Sequence, residues 1–202
     1  MKLYLVPFRQ EAKLLISILP NCRALPDSGF PGCWEYTGGR VVCWNQAGVQ
    51  GVVDLVKKIT DFSGYSEVIL FGSAGSLAKE LELGRIYTCT RIKDTFGGVW
   101  NMPAVSSFQE SGLLTAEELV FENNKRQELW QKYNCELVDM EASAFAYLAE
   151  KNAFGDAKTG VVRFVSDTYE ILPKLDIVTR NFTGKFPKEV SQQISKHRKN
   201  FL

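Results

Sequence analysis

Along this chain, short apolar runs alternate with longer stretches in which apolar residues recur every three or four positions. The runs "KLYLV" (2–6), "EVILFGSAG" (67–75), "GRIYTCT" (84–90), "CELVDM" (135–140) and "TGVVRFVSD" (159–167) have strand length and are rich in β-branched and aromatic residues. Helical spacing marks "EAKLLISIL", which stops at Pro20, and "GVQGVVDLVKKITDF", with Val53, Val56 and Ile59 on its apolar face. It also marks "NKRQELWQKY", "EASAFAYLAEK" and the closing "KEVSQQISKHRKNFL". "CWEYTGGRVVCWN" predicts two strands around the turn Gly38-Gly39, and a further strand is expected around "GLLTAEELVF". Residues 94–112 have no clear period and carry glycine, proline and aromatics, so they read as a loop. Strands that alternate with helices predict a three-layer α/β/α sandwich around a central mixed, largely parallel sheet. No repeat, linker or low-complexity tract divides the chain, so residues 1–202 are expected to form one domain.

Composition narrows the chemistry. Apolar residues make up 45% and charged residues 23%, with a net charge of +1 and the charges scattered, an ordinary soluble profile without a basic stripe for nucleic acid. No apolar run reaches the roughly 18 residues of a membrane span, and the N-terminal stretch reads as a buried first strand rather than a signal peptide. The cysteines at 22, 33, 43, 89 and 135 are odd in number and lack C-x-x-C spacing, which suits reduced thiols in a cytoplasm. His197, in the charged C-terminal tail, is the only histidine. A Ser-His-Asp triad and a zinc site are therefore set aside, no metal or cofactor is expected, and acid–base chemistry must use carboxylates.

In open α/β sheets, ligands bind beyond the carboxyl ends of the strands. The segments just after the predicted strands are 9–11, 46–49 (ending at Val49), 72–75, 139–141 and 166–167. They hold Glu11, Glu141 and Asp167, acids far apart in sequence, together with a Gly-Ser-Ala-Gly turn made of Gly72, Ser73, Ala74 and Gly75. Glycines there allow close backbone approach to a ligand, and Ser73 offers a hydroxyl. Each feature alone also has a plain structural use, as a tight connection, a helix cap or a first-turn acid.

Taken together, "VILFGSAGSLAKELELGRIYTCT", "ELVDMEASAFAYLAEK" and "VVRFVSDTYE" resemble the diagnostic blocks of the nucleoside phosphorylase and nucleosidase superfamily, and most closely the 5′-methylthioadenosine/S-adenosylhomocysteine nucleosidases. The resemblance implies a small nucleoside substrate, hydrolysis of a purine N-glycosidic bond (adenine expected), and a homo-oligomer, with a dimer favoured. It implies that Glu141 accepts the ribose hydroxyls, that Met140 packs on the sugar and that Phe8 lines the sugar side. By the same resemblance Asp167, oriented by Ser166, protonates the purine, and Glu11 activates a water. The main chain at Leu119 and Val120 would meet the base edge, while Asp139, standing where a Glu is common, is expected to point away from the ligand. Trp100, Met102 and Phe108 are candidates for a hydrophobic 5′ pocket, and futalosine-type substrates stay open.

The related phosphorylases bind phosphate with arginines at positions where this chain has Leu70 and Glu11, which favours water as nucleophile. A phosphorylase using Arg9 or Arg91 and a non-catalytic nucleoside binder are the alternatives.

Overall fold

The computed structural model describes residues 1–171 and 186–201; Leu202, the end of the predicted closing helix, lies outside them. In chain order the elements are β1 (Lys2–Val6), α1 (Arg9–Ile16), β2 (Arg23–Ala24), β3 (Gly32–Tyr36), β4 (Gly39–Cys43), α2 (Gly48–Lys58) and β5 (Glu67–Ser76). There follow β6 (Ile86–Asp94), β7 (Val99–Asn101), β8 (Gln109–Thr115), α3 (Asn123–Tyr133), β9 (Leu137–Asp139), α4 (Ala142–Glu150), β10 (Lys158–Asp167) and α5 (Lys188–Lys196).

The central strands are apolar on both faces because helices cover both. Leu3 and Leu5 of β1 and Val68 and Leu70 of β5 pack with Val52 and Leu55 of α2 and Phe145 of α4. The intervening Tyr4, Val6, Ile69 and Phe71 face the other way, onto Ala12 and Leu15 of α1 and Val190 and Ile194 of α5. The period of two along each strand thus sorts side chains into two cores, and the three layers follow.

The sheet is mixed. β1 lies between β4 and β5, parallel to both, and β5 is also parallel to β10. β10 then pairs antiparallel with β6, β6 parallel with β8, β8 parallel with β9, and β9 antiparallel with the end of β5. One side of the sheet therefore closes on itself, a detail the sequence pattern did not show. Two local expectations change. The Gly-Ser-Ala-Gly segment is not a turn but the last part of β5, extended because β10 runs beside it as far as the pair Gly75–Asp167. Residues 94–112 are not all loop: they contain β7 and the start of β8, which pair with β6.

Candidate active site

The carboxyl ends of β5 and β10, the start of α1 and the junctions β4–α2 and β9–α4 meet in one region, where Arg163 is the hub. It is a charged residue inside the apolar run of β10 and is fully buried. Asp139 takes its Nε at 3.0 Å and its Nη2 at 2.5 Å, and Glu141 Oε2 lies 3.6 Å from Nη2. Nη1 has no hydrogen-bond partner within the described protein. It faces Gly72: a Cβ built there would lie 2.7 Å from Nη1 and 3.3 Å from each Glu11 carboxylate oxygen. Glycine is required at 72 because Arg163 and Glu11 occupy the space a side chain would use.

Glu11 is the third residue of α1, buried to 1% exposure. Its Oε2 accepts the Phe8 N–H at 3.0 Å, so it closes the first turn of its own helix. Oε1 accepts both the N–H and the hydroxyl of Ser73, at 2.8 and 2.5 Å. Burial pushes the Glu11 carboxyl above the usual range, and the Ser73 hydrogen bonds, Arg163 and the Phe8 N–H oppose that only in part. Glu141 precedes α4, and its Oε1 accepts the N–H of Gly48, at the start of α2, at 2.8 Å. Its carboxyl is pushed up to about 7, first by burial and then by the Asp139 charge, against the pull of Arg163 and the Gly48 N–H. Asp139 also accepts the Thr115 hydroxyl at 2.9 Å and the Ala142 N–H at 3.0 Å, so it caps α4 and anchors Arg163. Its side chain is wholly enclosed, in keeping with an acid turned away from a ligand.

Asp167 lies further along the same two strands, beside Gly75. A Cβ at Gly75 would come within 3.0 Å of Asp167 Oδ2. A register shift between Val165 and Asp167 sets Ser166 outside the ladder. The Ser166 hydroxyl lies 2.6 Å from Asp167 Oδ1 and 3.2 Å from the carbonyl of Ala74. Arg126, the fourth residue of α3, forms an ion pair with Oδ2.

Of the residues singled out in the sequence, the structure joins Glu11, Phe8 and Ser73 by hydrogen bonds, sets Glu141 beside the same arginine, and brings Ala74, Gly75, Ser166 and Asp167 together. Met140 is half-buried between Asp139 and Glu141. Val49 is exposed in the first turn of α2, next to Gly48. Leu119 is exposed in the segment between β8 and α3, and Val120 packs with Leu77, Leu114 and Leu129. The 5′-pocket expectation needs correction: Phe108 stacks near Phe201 and His197 in the core under α1 and α5, and Met102 belongs to the core on the other face. Arg91 gives its Nη2 to the carbonyl of Asn134 at 2.5 Å, whereas Arg9 is exposed at the start of α1.

Sequence reasoning missed both buried arginines. Arg163 had a signal, a charge in an otherwise apolar strand, which must find partners. Arg126 had none, as one of many charges in a polar helix.

The phosphorylase superfamily family model matches residues 110–201. Among solved structures, the chain is similar to the Helicobacter pylori 5′-methylthioadenosine/S-adenosylhomocysteine nucleosidase, at 16% identity and a TM-score of 0.72, over 99% of this chain and 96% of that one. Futalosine hydrolase of the same organism matches at 16% identity and a TM-score of 0.72, over 99% and 96% of the two chains. A nucleosidase of the first kind from Chlamydia trachomatis, bound to methylthioadenosine, matches at 20% identity and a TM-score of 0.68, over 97% and 94%. A search of the curated proteins finds no match. The partial family-model match agrees with the superfamily that the three sequence blocks resemble, and the fold is that of the nucleosidase and futalosine hydrolase structures.

Among the described residues no helix is long and apolar enough to cross a membrane, and no cluster of His, Cys, Asp and Glu could hold a metal ion.

Proposed function

We propose that this chain is a purine nucleosidase that hydrolyses the N-glycosidic bond of a nucleoside with a modified 5′ group. The observation that carries the reading is the unpartnered, buried Nη1 of Arg163 beside the Glu11 carboxylate. A buried N–H donor next to a carboxylate of raised proton affinity and a serine hydroxyl is what a nucleophilic water needs: a hold on its oxygen and a base for its proton. Glu141, ionised, accepts the sugar's hydroxyls and places negative charge near a ring that becomes an oxocarbenium ion. Asp167, on the far side, protonates the departing base.

Water is favoured over phosphate by charge. Arg163 is shared by Asp139, Glu141 and Glu11, so with Glu11 and Glu141 ionised the region holds more anions than cations. Two like unit charges about 4 Å apart repel by about 4 kcal/mol at an effective dielectric of about 20. A phosphate dianion would meet that penalty from each uncompensated carboxylate. Arg91 is engaged with Asn134, and Leu70 is a core residue.

The finer reading is a 5′-methylthioadenosine, S-adenosylhomocysteine or futalosine-type substrate with adenine as the expected base. It is supported by the names of the structural neighbours and by the sequence blocks. A cytoplasmic homodimer formed by the single domain 1–202 completes the proposal.

The test is product analysis with 5′-methylthioadenosine, adenosine and inosine, in phosphate and in phosphate-free buffer. Free base and free sugar at the same rate in both buffers are expected. A sugar 1-phosphate with a rate that saturates in phosphate would make the protein a phosphorylase, and binding without base release would make it a nucleoside-binding protein.

A further inference from the structure

Arg126 and Asp167 form the second buried ion pair of the region, and it is built from an unexpected element. Only Arg126 and Leu129 of α3 are buried; Tyr133 is half-buried and the other residues of the helix are exposed. The Arg126 side chain is fully enclosed. Nη2 pairs with Asp167 Oδ2 and Nη1 donates to the Ser76 carbonyl at 2.8 Å. The Tyr169 ring centre lies 6.0 Å from the guanidinium carbon, and the Tyr169 hydroxyl donates to the Leu77 carbonyl at 2.8 Å. Taking a guanidinium out of water costs several kcal/mol unless its partners are well placed. Here they are the proposed general acid and the backbone of the strand beside it.

The two oxygens of Asp167 therefore have different neighbours. Oδ2 faces a group that only donates. Oδ1 faces the Ser166 hydroxyl, which has one proton and two acceptors in reach, Oδ1 itself and the Ala74 carbonyl. We infer that Arg126 is a positioning residue that fixes Asp167 through Oδ2 and so assigns the transferable proton to Oδ1. This rests on the nucleosidase reading above. While Oδ1 carries the proton, Ser166 turns its hydroxyl to Ala74. In the reaction the Oδ1–H bond breaks and a bond from that proton to the purine nitrogen forms. The electron pair of the glycosidic bond goes to the base. Ser166 then turns back to donate to the ionised Oδ1. Arg126 keeps its own protons throughout.

The experiment compares wild type, Arg126→Met and Arg126→Lys on two ribosides. One is a purine nucleoside, whose base must be protonated to leave. The other is 4-nitrophenyl β-D-ribofuranoside, whose nitrophenolate leaves without a proton. Misplacing a catalytic group by about 1 Å costs on the order of 10²-fold. Arg126→Met is expected to lose about that much in kcat on the purine nucleoside, with KM within about threefold, and less than about threefold on the nitrophenyl riboside. Arg126→Lys, which keeps the charge but reaches one acceptor at a time, falls between, and it carries the same comparison if the Met variant does not fold. Equal loss on both substrates would reduce Arg126 to a structural prop and overturn the inference, as would no loss on either. Wild type that releases no base from any purine nucleoside would overturn the proposed function itself, and the inference with it.

Discussion

The two buried arginines of the site are used in opposite ways. Arg163 is one cation among Asp139, Glu141 and Glu11, whereas Arg126 faces Asp167 alone. On the proposed reading, the first arrangement leaves a surplus of negative charge where a sugar would develop positive charge; burial raises the proton affinity of Glu11 and, together with the Asp139 charge, that of Glu141. The second is balanced, and its effect is directional: it holds one oxygen of a carboxylate and leaves the other to the chemistry. On the proposed reading, one fold thus carries an acid-rich half for the sugar and an oriented one-to-one pair for the leaving base.

The severest way to break that contrast is Arg163→Met. It strands three carboxylates, and removing one partner from a buried ion pair costs about 3–5 kcal/mol. Urea unfolding should show a loss of at least that size. Arg126→Met, which strands one carboxylate, should lose less; equal losses would contradict that contrast.

The chemical halves can be separated next. Asp167→Asn keeps the shape but cannot transfer a proton, so base release should fall by on the order of 10²–10⁴-fold while calorimetry still detects nucleoside binding. Glu11→Gln should lose on the order of 10²-fold or more, because the amide cannot take the water's proton. Added phosphate should not restore it. Recovery in phosphate buffer would place the nucleophile's binding elsewhere.

The mildest test uses pH. Glu141 has its folded proton affinity raised from the usual 4.5 to about 7. The folded state therefore holds a proton that the unfolded state has released between those values, so stability from this group falls as pH rises from about 4.5 to about 7 and is level above. Glu141→Gln should be more stable relative to wild type at pH 8 than at pH 5, measured by denaturant titration. In wild type, kcat/KM should rise through the region near pH 7 as Glu141 ionises, with Glu11 contributing in the same direction. A flat profile from pH 5 to 8 would show that neither acid acts as a base or as an anionic acceptor.

Much of this was legible in the chain itself. The apolar runs at 2–6, 67–75 and 159–167 had to be strands covered on both faces, and the helical spacing of 48–62 and 141–151 had to supply the cover. Those are local effects of period and burial, and the three-layer order follows from them. Glu11, Ser73, Glu141, Ser166 and Asp167 could be picked out because strand ends are where such sheets bind ligands and because the blocks around them resemble a known superfamily.

What the tertiary structure alone decided is non-local. Whether Gly72–Gly75 turns or continues as a strand depends on β10, some 90 residues away, lying alongside to receive its hydrogen bonds. Phe108 reads as a pocket aromatic until Phe201 is found beside it. Above all, the partners of a buried charge are set by which elements the fold brings into contact. The sequence records that Arg126 and Arg163 are charged. Only the reach of Arg126 from α3 to the ends of β5 and β10, and the placing of the β9–α4 junction beside Arg163, determined that one arginine would serve a single acid and the other three.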